Sequence, residues 1–233
     1  MSVVKGETIK NVYTDLMAAA KTDGSNTTPI IHSTKEQAEL IKYAQSKGLE
    51  VYNIQKFDGD SELLKEQIDI IADMRSEYNL TSKLTITFDS MPDDDFASTN
   101  GKRINFNTKC LRNREITNKI LSADNTLAAN DISGIATHEV GHLISKKYGE
   151  KGLEIASKAY YNVYGEQISS NGMLSVLEKE LSIYASENST DKEGIRFNTK
   201  HYKEVIPEAL SKNKTNPNAF TREFVKILKE VVM

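Results

Sequence analysis

The periodicity of the chain predicts an α+β fold, with a small mixed sheet in the first half and a helical second half. Three observations carry this. Lys83 to Phe88 and Arg103 to Phe106 alternate apolar and polar residues with period two, as half-buried strands do. Pro29 to Tyr52 reads as strand, helix, strand. Beyond Glu150 the apolar residues recur only at helical spacing.

In chain order, Val4, Ile9, Val12, Tyr13, Leu16, Met17 and Ala20 form a rough helical stripe, which fades into the polar run Thr22 to Pro29. Residues 1–28 are therefore expected to be a helical arm and linker, ahead of one domain over 29–233. Pro29-Ile30-Ile31 is a short strand. Ser33 then opens a helix, with Glu36 three residues on as a capping box and Gly48 as its stop before Leu49 to Tyr52. A second helix over about Ser61 to Tyr78 carries two adjoining apolar stripes, as a helix packed on a sheet would. Between the two alternating strands, Met91 to Gly101 is turn-like, which predicts that those strands are neighbours. Helices follow over Asp131 to Lys147, Gly152 to about Tyr164, Met173 to about Ala185, His201 to Leu210 and Ala219 to Val231.

The bulk numbers exclude several function classes. Hydrophobic residues are 38% of the 233 and charged residues 27%, which suits a globular protein rather than a fibrous or disordered one. Lys plus Arg number 30 against 33 for Asp plus Glu, and the basic residues are scattered, so there is no broad positive field for a nucleic acid. No run approaches the ~18 apolar residues of a membrane span, and Met1 to Lys10 lack a signal peptide's pattern, so the expected location is the cytoplasm. The lone Cys110 has no partner for a disulfide and reads as a buried thiol.

His138-Glu139-Val140-Gly141-His142 is the informative segment. It lies inside a helix that Asn130 or Asp131 would cap, with Ile132, Ile135, Ala136, Val140, Leu143 and Ile144 as the anchored face and the other side free. A spacing of four brings both imidazoles to one face, ~6 Å apart along the axis, where they can converge on one cation. Glu139 projects from the neighbouring flank, placed to take a proton from a water activated by zinc. The chemistry that follows is metal-assisted hydrolysis of an amide. Only four histidines occur in the chain, which makes the pairing around a glutamate hard to attribute to chance.

A catalytic zinc of this kind takes a third protein ligand and leaves one position for water. The class that continues with a glycine and a third histidine is excluded, because Ser145 and Tyr148 stand at those places. The third ligand should then be a later residue, with Glu166, Glu180, Glu193, His201 and Glu204 as the choices. His201 and His32 read more simply as solvated and structural, respectively. Tyr160, Tyr161 and Tyr164 read as core packing, Arg103 as a strand residue facing water, and Asp93-Asp94-Asp95 as a solvated turn.

With these residues in place, the chain resembles the zincin-like metallopeptidase domain of Mu-like phage minor head proteins and, more distantly, the catalytic domain of anthrax lethal factor. The likeness covers most of Ile30 to Val232. It rests on Thr34 to Gly48, on Gly101 to Asn107, on His138 to His142, and on Leu181 to Ser186 followed by Glu204 to Leu210. The resemblance implies a zincin-like metallopeptidase fold of gluzincin type. It assigns Glu204 as third zinc ligand, Glu208 as the residue supporting the site from the next turn, and Tyr184 as hydroxyl donor to the oxyanion.

It also implies a peptide or protein substrate, with phage head or other virion proteins as partners and a virion-associated location as the alternative to the cytoplasm. Two further roles come with it: a head-associated protein without turnover, and a toxin-like effector that cuts one host protein. The sequence departs from the family pattern by about a dozen extra residues, Asn188 to Lys200, and by Pro207 in the early turns of the ligand helix. In zincin-like folds an edge strand receives the substrate by strand addition, and Ile104 to Asn107 is the expected edge.

Overall fold

The computed structural model describes residues 28–92, 95–124, 126–148, 151–169, 172–187 and 203–232. Residues 1–27 of the proposed arm, Glu193, His201 and the segment Asn188 to Lys200 lie outside these. The chain divides into two compact units, Met1–Asp73 with Thr81–Asp124, and Met74–Leu80 with Asn125–Met233.

In the first unit, helix α1 (Thr34–Ser46) begins at Ser33, whose hydroxyl accepts from the Glu36 N–H while the Glu36 carboxylate accepts from the Ser33 N–H, the expected capping box. It ends where Gly48 takes φ 73°, with the Gly48 and Leu49 amides donating to the carbonyls of Gln45 and Ala44. This is a Schellman motif, which needs the left-handed residue that glycine supplies without strain. Pro29 to Ile31 form no strand, and Ile31 is 95% exposed.

Strand β1 (Glu50–Val51), helix α2 (Ser61–Glu77) as far as Asp73, strands β2 (Thr85–Thr87), β3 (Ala97–Thr99) and β4 (Arg103–Phe106), and helix α3 (Arg114–Ala123) complete the unit. The sheet runs in the order β1-β2-β4-β3, with β1, β2 and β4 parallel and β3 antiparallel to β4. Ile86 pairs with Ile104, and both are fully buried with Phe106. The two alternating segments are therefore neighbours, as expected. The turn-like stretch between them contains β3, which covers the outer side of β4. This corrects the reading of Ile104 to Asn107 as an edge: the edge on that side is β3.

His32 is structural, stacked on Phe57 with its Nε2 2.8 Å from the Gly59 carbonyl oxygen, and Cys110 is buried.

The second unit holds α4 (Ser133–Tyr148), α5 (Gly152–Tyr164), α6 (Met173–Glu180), α7 (Ile183–Glu187), α8 (Val205–Thr215) and α9 (Ala219–Val232). Phe220, Phe224, Ile227 and Leu228 recur at helical spacing on α9 and are buried where it packs on α5 and α8. Removing such side chains from water stabilises by roughly 1.5–3 kcal/mol each. The tyrosines of α5 are not core: Tyr161 is 52% and Tyr164 42% exposed, and the Tyr164 hydroxyl donates to Glu180. Among the described residues no helix is long and apolar enough to cross a membrane.

Candidate metal centre

Helix α4 carries the two histidines. The Asp131 carboxylate accepts from the Ser133 amide and hydroxyl at the start of the helix. Ile135, Ala136, Val140 and Ile144 are buried as the sequence suggests. The opposite side is not free, however. Gly134, Thr137, Glu139, Gly141 and Ser145 are buried too, and the main partner of α4 is α8.

Two positions explain how closely these helices meet. A β-carbon on Gly134 would lie 2.8 Å from the Ser211 hydroxyl, and one on Gly141 would lie 2.5 Å from the Cα of Pro207. Only glycine fits against a backbone at that separation. Pro207 is the third residue of α8, where its missing N–H forfeits nothing because first-turn amides have no partner within the helix. Pro207 is thus accommodated: the helix starts late enough for the proline, with Glu204 just ahead of it.

The approach brings Glu204 over the histidines. Its Oε2 is 3.3 Å from His138 Nε2 and 3.4 Å from His142 Nε2, and the two nitrogens are 3.2 Å apart. The three atoms form a nearly equilateral triangle that could hold a metal ion. Glu204 Oε2 is buried, and among the described residues no donor reaches it with hydrogen-bond geometry, which is how an atom reserved for a cation looks.

Behind the triangle, His138 Nδ1 is 2.8 Å from Glu208 Oε1, on a side chain 1% exposed. The other carboxylate oxygen of Glu208 accepts from the Ala128 amide at 2.8 Å and from the Ser182 hydroxyl at 2.5 Å. A carboxylate on the far nitrogen of a ligating histidine fixes its tautomer, leaving the near nitrogen free to bind. Tyr184, in α7, sets its ring 6.3 Å from that of His138. Glu139 is buried one residue along α4, and its charge is among those acting on His138.

Electrostatics divide the two imidazoles. Burial opposes a charge on His138, but the carboxylates of Glu204 and Glu208 outweigh it and hold the ring's pKa well above its ordinary value. Burial, reinforced by the neighbouring His138 cation, pushes His142 down to about 4. Burial raises Glu204, yet the imidazoles of His138 and His142 beside it outweigh that and leave its carboxyl below the usual range. The surroundings thus favour positive charge on His138 and oppose it on His142.

Of the other choices for third ligand, Glu166 is exposed, and Glu180 is occupied by Tyr164 and Asn218. Sequence reasoning missed Ser182, whose signal was a serine ahead of a short helical segment, and Ala128, which contributes only a backbone amide.

No protein-family model matches the chain, and no curated protein or solved structure matches it at a significant level.

Proposed function

We propose that the chain is a zinc-dependent, zincin-like metallopeptidase that hydrolyses peptide bonds in a peptide or protein. The observation that carries this reading is the triangle of 3.2, 3.3 and 3.4 Å edges. In a tetrahedron the edge is about 1.63 times the distance from centre to corner, so donors at the usual zinc distances of ~2.0–2.1 Å stand ~3.3–3.4 Å apart. Two imidazoles and one carboxylate are the donor set of catalytic zinc, and three protein ligands leave one position for water.

A zinc ion there supplies a Lewis acid that lowers the pKa of water from ~15.7 toward ~7 and polarises a carbonyl. Glu139 accepts the proton released when water adds to the scissile carbonyl and delivers it to the departing amine nitrogen, so the C–N bond breaks without leaving an amide anion. Glu208 keeps His138 in the tautomer whose Nε2 faces the site. The Tyr184 phenol, beside His138, donates to the oxygen that gains charge as the carbonyl carbon becomes tetrahedral.

The test compares the unmutated protein with Glu139→Gln on denatured casein, with and without a chelator, with bound metal measured in both. The reading expects equal metal content and chelator-sensitive cleavage by the unmutated protein alone. Cleavage that survives in Glu139→Gln contradicts the assigned base. Metal binding with no cleavage of casein or of any protein in a cell lysate contradicts the peptidase reading.

A further inference from the structure

We propose that Ser182 is a positioning residue of the metal centre, coupling the helix that carries Tyr184 to the orientation of His138. The inference rests on the metal reading of His138, His142 and Glu204.

Ser182 stands at a break. The apolar pattern predicts one helix from Met173 to about Ala185, but α6 stops at Glu180. The amides of Leu181 and Ser182 both donate to the Leu177 carbonyl, and Lys212 Nζ donates to the Leu181 carbonyl. The chain then restarts as α7 with Ser182 in the capping position, where its hydroxyl oxygen accepts from the Ala185 amide at 3.0 Å. The same hydroxyl lies 2.5 Å from Glu208 Oε2, and Ser182 is only 4% exposed.

A hydroxyl has one proton. A backbone amide can only donate, so at Ala185 the Ser182 oxygen must be the acceptor, and its proton is left for Glu208. This sets the direction of a chain of hydrogen bonds: Ala185 N–H to Ser182 O–H, Ser182 O–H to Glu208, with His138 Nδ1–H arriving at the other carboxylate oxygen. Removing the hydroxyl therefore loosens two things together. The Glu208 carboxylate loses a buried donor and is freer to turn away from His138, and α7 loses the cap that fixes Tyr184 at its second position.

The experiment measures the zinc dissociation constant of the unmutated protein, Ser182→Ala and Ser182→Thr by competition with a chromophoric chelator. It also records the visible spectrum of each cobalt-substituted protein and the melting temperature of each metal-free form. Ser182→Ala is expected to bind zinc about 10–100-fold more weakly, the range typical of residues that orient a ligating histidine, and to shift the cobalt bands. Ser182→Thr, which keeps donor and acceptor, is expected to stay within about threefold of the unmutated protein. Should Ser182→Ala fail to fold, Ser182→Cys takes its place, with similar volume and a weak donor, and is expected to weaken zinc binding in the same direction. A role in capping alone would lower the melting temperature and leave zinc affinity and cobalt bands unchanged, which overturns the inference and spares the metal reading. Absence of metal binding in the unmutated protein overturns both.

Discussion

Gly141 of α4 and Pro207 of α8 meet with no space for a methyl group, since a β-carbon on Gly141 would fall 2.5 Å from the Pro207 Cα and 3.1 Å from its nitrogen. The contact is one residue from His142 and three from Glu204, so the packing of two helices and the assembly of the three donors are the same event. Gly141→Ala forces α8 outward against a backbone that cannot yield as a side chain does. Overpacking of this kind costs about 1–3 kcal/mol. The expected outcome is a lower urea midpoint for the metal-free protein and at least tenfold weaker zinc binding, read by chemical unfolding and chelator competition.

Three donors converge on the Glu208 carboxylate: His138 Nδ1, the Ala128 amide and the Ser182 hydroxyl. A glutamine offers one acceptor oxygen, so Glu208→Gln sets an NH2 against at least one donor. Zinc affinity is expected to fall about 10–100-fold while the fold persists, which circular dichroism and a zinc titration would show.

The metal-free protein should be sensitive to mild acid through His142. Its folded pKa, about 4, lies below the ordinary 6.5, so between these values the unfolded chain binds a proton that the folded chain refuses. Stability from this group is present above pH 6.5 and is lost as the pH falls toward 4, by on the order of 3 kcal/mol. His138 has the opposite sign: its raised pKa stabilises below 6.5 and fades only as the pH rises through the folded value. Urea unfolding at pH 7 and pH 4.5 is expected to show a smaller acid loss in His142→Gln than in the unmutated protein. An equal loss in both would contradict the account.

The carboxylates of Glu204 and Glu208, which raise the affinity of His138 for a proton, set protons in competition with metal at its Nε2. Calorimetry of zinc binding at pH 7 in buffers of different ionisation enthalpy is expected to report net release of protons from the protein, and no release would contradict the competition.

Tyr184→Phe removes a hydroxyl that the proposed mechanism uses only as charge develops. The expected result is a 10²–10³-fold loss of kcat with zinc affinity unchanged, measured on a peptide that the unmutated protein cleaves.

Much of the fold was legible because local chemistry decided it. The Ser33 and Glu36 capping box, Gly48 as helix stop, and α5 from Gly152 to Tyr164 all stand where the residues put them. What was not legible depended on tertiary partners. Strand β3 has only Ala97, Ser98 and Thr99 and exists because β4 offers it hydrogen bonds. Helix α3 did carry a signal, Asn113 accepting from the Ile116 amide ahead of Ile116, Ile120 and Leu121, in a stretch with no other clear pattern. The break at Leu181 and Ser182 is set by Lys212 and Glu208, from distant parts of the sequence. At the site, the spacing of His138 and His142 was readable from the helix repeat alone. Glu204 and Glu208 came from the resemblance, because nothing local says which acidic residue a second helix will bring across.

The central claim is that His138, His142 and Glu204 hold one zinc ion. Anomalous diffraction recorded on both sides of the zinc absorption edge, from crystals grown with zinc, tests it most directly. The account predicts a strong anomalous peak about 2.0–2.2 Å from His138 Nε2, His142 Nε2 and Glu204 Oε2. Crystals with no peak there, or with the ion on other residues while Glu204 lies elsewhere, would contradict it.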